Sequence, residues 1–141
     1  MIYEKKAPVQ LLLDIPLEMI SWNTILGRAS HWKIKRENEK WLKAVFVYYN
    51  IAKGAGKIKR DFIFALGKPM KVTILSYRAY GKRLYDNDNL CKKPILDALR
   101  KCEIIKNDSE KWLLPTEVKQ FKCKADEQAH TIIIIEEAKE R

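Results

Sequence analysis

A run of one threonine and four isoleucines near the end of the chain limits the fold more than any other feature. The run extends from Thr131 to Ile135 and contains no polar interruption after the threonine. Four of its five side chains are apolar and all are β-branched, which favours extended backbone. A continuous apolar run is typical of a central strand that is well covered. The sequence therefore predicts a sheet with residues 131–137 near its middle.

Three further strands are predicted from the remaining apolar segments. They cover residues 9–15, 71–80 and 117–124, and the first is expected to end at Pro16. The apolar residues of the 71–80 strand fall at both odd and even positions, so this strand is predicted to be buried on both faces.

Two helices are predicted between the strands. Residues 21–34 look irregular, and a helix should follow them, because apolar residues from Trp41 to Ala52 recur at helical spacing. Glu37 and Glu39 are expected in its first turns, where the helix dipole favours acids, and glycines 54 and 56 should end it. A short helix is predicted at residues 94–102, with Pro94 at its first position. Strands and helices do not alternate strictly, which indicates an α+β fold: a small mixed sheet with helices packed on one face.

The charge of the chain favours a polyanionic partner. The 141 residues suit one domain, residues 1–141, and 28 Lys and Arg against 18 Asp and Glu give a net charge of +10. Such an excess can serve solubility alone, but in so small a chain it favours nucleic-acid binding. Membrane-surface binding is the rival interpretation, and no strongly basic amphipathic helix with a clean apolar face supports it.

Cysteine and histidine usage indicates a reducing compartment. The N-terminus lacks the apolar region of a secretory signal, and no apolar run approaches membrane-spanning length. Three cysteines without a Cys-x-x-Cys pair argue against a disulfide framework and against a zinc site. The two histidines, His31 and His130, are too far apart in sequence to suggest a histidine metal cluster. We therefore expect a cytoplasmic protein without a membrane partner.

Three aspartates form the pattern that points to chemistry. Asp86 and Asp88 are two residues apart at the end of an extended segment, so their carboxylates point the same way. Like charges this close repel unless a cation lies between them, and oxygen ligands of this kind suit Mg²⁺. Asp108 follows the short helix and is expected to return beside the pair. A metal bound there would activate water and polarise a phosphoryl oxygen.

Basic residues surround this aspartate pattern. Lys92 and Lys93 begin the short helix, where an ammonium would stabilise the charge of a phosphodiester transition state. Lys82 and Arg83 precede the aspartates and, together with Lys92, are predicted to hold the DNA backbone.

Each acid also has a simpler interpretation. Asp and Asn cluster in ordinary turns, so the D-N-D-N segment alone is weak. Asp108 is also suited to cap a short helical turn, and Asp97 is interpreted as a structural or surface acid rather than a ligand.

The combined pattern resembles the RusA family of Holliday junction resolvases. D-N-D-N-L, a lysine, L-D-A-L and I-I-x-N-D-S match that family's D-x-D-N-L, lysine, D-A-L helix and Asp-Asp turn over about 28 residues. The S-W-N segment near residue 22 and the basic stretch after it, with Lys35 and Arg36 as predicted DNA contacts, look similar to the family's loop before its first helix. The resemblance implies a small α+β homodimer that binds four-way DNA junctions and, with Mg²⁺, nicks them in pairs.

Site roles carry over by position within this resemblance. Asp86, Asp88 and Asp108 match the three metal-binding aspartates. Counting from Asp88 favours Lys92 as the active-site lysine, whereas counting back from the D-A-L helix favours Lys93, which also keeps the distance to Asp108; we prefer Lys93.

Two departures from the family pattern stand out. Asn107 replaces the first acid of the Asp-Asp pair, and Cys102-Glu103 stands where the family tends to have a glycine. The second departure raises the question whether the turn that delivers Asp108 keeps its shape.

The sequence thus predicts a Mg²⁺-dependent endonuclease acting on four-way junctions in recombination and repair. One alternative is a binding module of the same fold that does not cut nucleic acid. That module would hold branched or single-stranded nucleic acid with aromatic stacking groups, namely Trp32, Trp41, Tyr48 and Tyr49, although a helical aromatic stripe is more often core. A nuclease that cuts flaps or forks is a third possibility.

Overall fold

Four strands and two helices make up the regular structure of the described part of the chain. The computed structural model describes residues 10–21, 30–56, 69–84, 90–105, 113 and 115–138. In chain order the elements are β1 (Gln10–Ile15), α1 (Ser30–Gly54), β2 (Met70–Arg78), α2 (Lys93–Lys101), β3 (Glu117–Lys122) and β4 (His130–Glu137).

The strands form one mixed sheet in the order β1-β4-β2-β3. Strand β4 pairs antiparallel with both β1 and β2, and β3 lies parallel to β2 at the edge. Ile134 is flanked by Leu12 on one side and Thr73 on the other. The isoleucine run is therefore a central strand, as its uninterrupted apolar character predicts.

One face of the sheet and the two helices enclose the hydrophobic core. Val72, Ile74, Ile133 and Ile135 project from that face and are fully buried, together with Trp41 and Val45 of α1 and Ile95 and Leu99 of α2. The result is a small mixed α+β fold, in agreement with the sequence. The prediction that β2 is buried on both faces is wrong, because its alternate residues from Lys71 to Tyr77 are only partly covered by the described residues.

Helix α1 begins earlier than its apolar spacing predicts. It starts at Ser30, so the expectation of irregular backbone through residue 34 is wrong for the last five of those positions. Glu37 consequently lies two turns inside the helix rather than in its first turns. This buried carboxylate accepts a hydrogen bond from Nε1 of Trp41 at 3.2 Å and pairs with Nζ of Lys40 at 3.0 Å, so contacts with neighbouring side chains explain its position. The predicted end is confirmed at Gly54.

The three cysteines, at positions 91, 102 and 123, are free thiols in the structure. Among the described helices, neither is long and apolar enough to cross a membrane.

Candidate functional site

The three predicted metal-binding aspartates lie outside the described residues. Asp86 and Asp88 fall between Leu84 and Leu90, and Asp108 falls between Ile105 and Leu113. The structure does describe the segments on each side of these gaps.

The segment before the first gap is fixed by an ion-pair cluster at the end of β2. Arg78 is buried, and its Nε lies 3.6 Å from Oε1 of Glu18; Nζ of Lys82 lies 3.5 Å from Oε2 of the same carboxylate. Between them the chain turns at Gly81, whose φ of +81° is a conformation that glycine adopts without strain. Lys82 and Arg83 are both exposed to solvent at the end of this turn, and the charge of Lys82 is partly neutralised by Glu18.

The segment after the first gap is tied to the loop that follows β1. Leu90 forms a bridge with Ser21, and the backbone N–H of Cys91 donates to the carbonyl oxygen of Ile20 at 2.9 Å. Burial raises the pKa of the Cys91 thiol to about 11. A backbone hydrogen bond from Lys93 and the charge of Lys93 lower this pKa by smaller amounts, and the nearby Glu37 carboxylate raises it by a smaller amount. Cys91 is therefore a neutral, buried anchor directly ahead of the two lysines.

Lys92 and Lys93 occupy different environments. Nζ of Lys92 donates to the carbonyl oxygen of Thr116 at 3.4 Å and is partly buried. Lys93 is exposed and is the first residue of α2. The ammonium of Lys92 is thus occupied in joining the start of α2 to the segment before β3, whereas Lys93 presents its ammonium to solvent.

The end of α2 keeps the turn that a glycine usually makes. Glu103 has a φ of +59°, in the left-handed region. Its N–H donates to the carbonyl oxygen of Arg100 at 3.0 Å, and the N–H of Ile104 donates to that of Leu99 at 2.9 Å. These two bonds are the pattern of a Schellman motif, with Ile104 buried as its apolar partner. The departure at Cys102-Glu103 therefore leaves the backbone turn ahead of Asp108 in the conformation that glycine favours.

Asp97 has a local partner within α2. Its Oδ1 lies 3.8 Å from Nη2 of Arg100, one turn further along the helix. This pairing is consistent with the interpretation of Asp97 as a structural acid.

The predicted DNA contacts on α1 are exposed near its beginning. Nζ of Lys35 lies 5.8 Å from the centre of the Trp32 ring, and Arg36 is exposed beside it. Lys35 also lines a groove of about 410 Å³ together with Lys101 at the end of α2. The structure thus joins a cation of α1 and one of α2 in a single groove.

The four aromatic residues proposed as stacking groups divide clearly. Trp32 is 60% exposed, whereas Trp41 is 1% exposed and belongs to the core. Tyr48 and Tyr49 are partly buried against that core. The prediction that Trp41 is a stacking group is therefore wrong, because its ring is buried in the core.

The sequence patterns do not predict one group of potential metal ligands. The ligand atoms of Cys123, Glu127 and His130 all lie within 4.8 Å of one another. Burial raises the pKa of the Cys123 thiol, and the nearby carboxylates of Glu127 and Glu18 raise it further. The group contains no Cys-x-x-Cys pair, and its only sequence signal is a Cys-x₃-Glu-x₂-His spacing across the turn between β3 and β4.

No protein-family model matches this sequence, and no curated protein matches it either.

Proposed function

We propose that the chain is a Mg²⁺-dependent endonuclease of the RusA type that resolves four-way DNA junctions. The proposal rests on the order of Asp86, Asp88 and Asp108 around a lysine and a D-A-L helix, in a chain of net charge +10. The carboxylates are the proposed Mg²⁺ ligands, since Mg²⁺ takes one or two carboxylates and leaves positions for water and phosphate oxygens. When bound, Mg²⁺ would supply an activated water and polarise the scissile phosphate.

One structural observation favours this function over the others: the different environments of Lys92 and Lys93. The bond from Lys92 to Thr116 links the segment that follows Asp88 to the segment that follows Asp108, although the two lie 24 residues apart. The described segments downstream of Asp88 and Asp108 therefore meet at this contact. Lys93 is exposed at this junction of segments, which suits an ammonium that must reach a phosphate.

The start of α2 adds a second favourable feature for phosphate binding. Lys92 precedes α2 without a side-chain hydrogen bond that caps the helix. The partial positive charge of a helix N-terminus attracts phosphate, and Lys93 lies on it. We assign Lys93 to neutralise the transition-state charge and Arg83, with Lys35 and Arg36, to bind neighbouring phosphates without reading sequence.

A homodimer is part of this proposal. A four-way junction presents equivalent strands related by an approximate two-fold axis, and a dimer with the same symmetry would present two equivalent sites. Paired nicks then follow from the match between the two symmetries.

A cleavage assay tests the proposal. A labelled four-way junction is incubated with the purified protein, with and without Mg²⁺, and the Asp88→Asn variant is compared. We expect nicks that require Mg²⁺ and are lost in the variant. Inclusion of flap and linear duplex substrates separates a junction resolvase from a nuclease that cuts flaps or forks. If the junction is bound but never nicked, and the variant binds equally well, the catalytic proposal is wrong.

A binding module of the same fold is the second candidate, and one observation favours it. Trp32 is largely exposed, and Lys35 lies over its ring, which is an arrangement suited to stacking a base beside a phosphate. If the chain is such a binding module, Trp32→Ala should weaken single-strand binding by about 1–3 kcal/mol. The nuclease proposal instead predicts that this variant still nicks junctions with Mg²⁺.

A further inference from the structure

The turn between β3 and β4 holds side chains that no step of the proposed nuclease uses. Cys123 follows the last residue of β3, Glu127 lies in the turn, and His130 is the first residue of β4. The sulfur, a carboxylate oxygen and a ring nitrogen of these residues lie within 4.8 Å of one another. Ligands that share a tetrahedral zinc, with bonds of about 2.0–2.3 Å, are roughly 3.5 Å apart. Closure by about an ångström would therefore bring them to bonding distance.

The backbone already holds this turn in shape. The N–H of Cys123 donates to the carbonyl oxygen of Arg78 at 2.9 Å, which fixes the start of the turn against β2. The N–H of Glu127 donates to the carbonyl oxygen of Lys124 at 3.0 Å, and the N–H of Lys124 donates to the Glu127 carboxylate at 3.2 Å. Little backbone ordering would accompany the binding of an ion.

His130 is oriented by a carboxylate from a distant part of the chain. Its Nδ1 lies 2.7 Å from Oδ1 of Asp14 in β1, 116 residues away in sequence. Histidines that bind metals usually donate their second ring N–H to a carboxylate, which fixes the tautomer and leaves the other nitrogen as a ligand. The ring also stacks on Tyr77, with ring centres 4.5 Å apart and planes 17° from parallel. Asp14 and Tyr77 thus hold the imidazole from two sides.

The ligand types select the ion. Thiolate and imidazole suit zinc, whereas Mg²⁺ prefers oxygen ligands. The thiol of Cys123 now donates weakly to the carbonyl oxygen of Gln128 at 3.6 Å, and it would exchange that contact for the metal. This preference for zinc separates the group from the proposed magnesium ligands.

We propose that Cys123, Glu127 and His130 form a zinc site, with His130 held in place by Asp14. Three protein ligands leave the fourth position of a tetrahedral ion to water. The ion would join the end of β3 to the start of β4, and through Asp14 it would also join β1. The site is independent of the proposed nuclease chemistry.

Metal titration of the apoprotein tests the site. The whole protein is freed of metal by chelation and titrated with Zn²⁺ against a chromophoric chelator, in excess Mg²⁺ so that carboxylate sites are saturated. We expect one zinc ion per chain to bind. In parallel, Co²⁺ should give a thiolate-to-metal charge-transfer absorption, which a site made only of carboxylates would not produce.

Two variants and a control distinguish loss of the zinc site from loss of the fold. Cys123→Ser should abolish the charge-transfer absorption, whereas Cys102→Ser, at the end of α2, should leave it unchanged. Asp14→Asn should keep the absorption but weaken zinc binding by about 10- to 100-fold. Circular dichroism of the apoproteins verifies that each variant is folded. Failure to bind zinc in excess Mg²⁺, or an absorption that survives in Cys123→Ser, would overturn the proposal whether or not the protein cuts DNA.

Discussion

The ammonium of Lys92 donates a hydrogen bond to the carbonyl oxygen of Thr116, 3.4 Å away, and so joins the start of α2 to the segment that leads into β3. The neighbouring Lys93 is exposed. Two adjacent lysines of the same charge thus have separate tasks, one structural and one available for a substrate.

Lys93→Ala should lower the junction-nicking rate by about 100- to 1000-fold, which is the usual effect of the loss of one group that stabilises transition-state charge. Its stability should change by less than about 0.5 kcal/mol, because the side chain is exposed. Lys92→Ala is the matched control: it should cost about 1 kcal/mol of unfolding free energy and retain most of the nicking rate. Single-turnover nicking at saturating protein and urea denaturation measure the two effects. The opposite ranking of the two rates would move the catalytic role to Lys92.

Glu103→Gly should stabilise the protein. An L-residue in the left-handed region costs about 1–2 kcal/mol, and glycine removes that strain while adding about 0.5–1 kcal/mol of backbone entropy to be lost on folding. The φ of +59° at Glu103 therefore predicts a net gain of about 1 kcal/mol. Thermal unfolding followed by circular dichroism is the measurement. Glu103→Ala, which keeps a Cβ, is the control and should give no such gain.

Alkaline pH should weaken the contribution of Cys91 to stability. Burial raises the pKa of this thiol from 9.0 to about 11, so the unfolded chain loses the thiol proton at lower pH than the folded chain does. The contribution is therefore complete below about pH 9 and is lost as the pH rises toward about 11. Urea denaturation of the native protein and of Cys91→Ala should show a stability difference that narrows over this range. A difference that stays constant between these pH values would contradict the assigned pKa.

The central strand could be predicted from sequence because its signal is local. Four consecutive isoleucines favour a covered strand whatever their partners, and β4 lies between β1 and β2 as expected. The sequence does not predict the beginning of α1, because residues 30–34 carry little apolar periodicity. The helix dipole does not explain the position of Glu37, whose hydrogen bond with Trp41 accounts for its burial.

The candidate site also has features that the sequence predicts and features that it does not. The order of the aspartates and lysines is visible in the sequence, but the choice between Lys92 and Lys93 depends on a contact across 24 residues. The group around Cys123 depends on a contact between residues still further apart in sequence, His130 and Asp14. Chain spacing does not reveal either contact. The one from His130 to Asp14 is made by the pairing of β1 with β4, which joins residues from opposite ends of the chain.

Junction binding should depend steeply on salt. If each complex contacts six to ten phosphates, release of their counterions predicts an affinity loss of about 10³- to 10⁵-fold between roughly 50 and 200 mM salt. The net charge of +10 is the source of this expectation. Fluorescence anisotropy with a labelled junction, in the absence of Mg²⁺, measures the slope. A flat salt profile would rule out backbone binding by this surface.

The most direct test of the account is a map of the nicks that the protein makes in a four-way junction. Each strand is labelled in turn, and the products formed with Mg²⁺ are sized on a denaturing gel for the native protein and for Asp88→Asn. We predict nicks at symmetry-related positions on two opposite strands, far slower cutting of linear duplex, and no nicks by the variant. Absence of Mg²⁺-dependent nicks in the native protein, or nicks that persist unchanged in Asp88→Asn, would contradict the account.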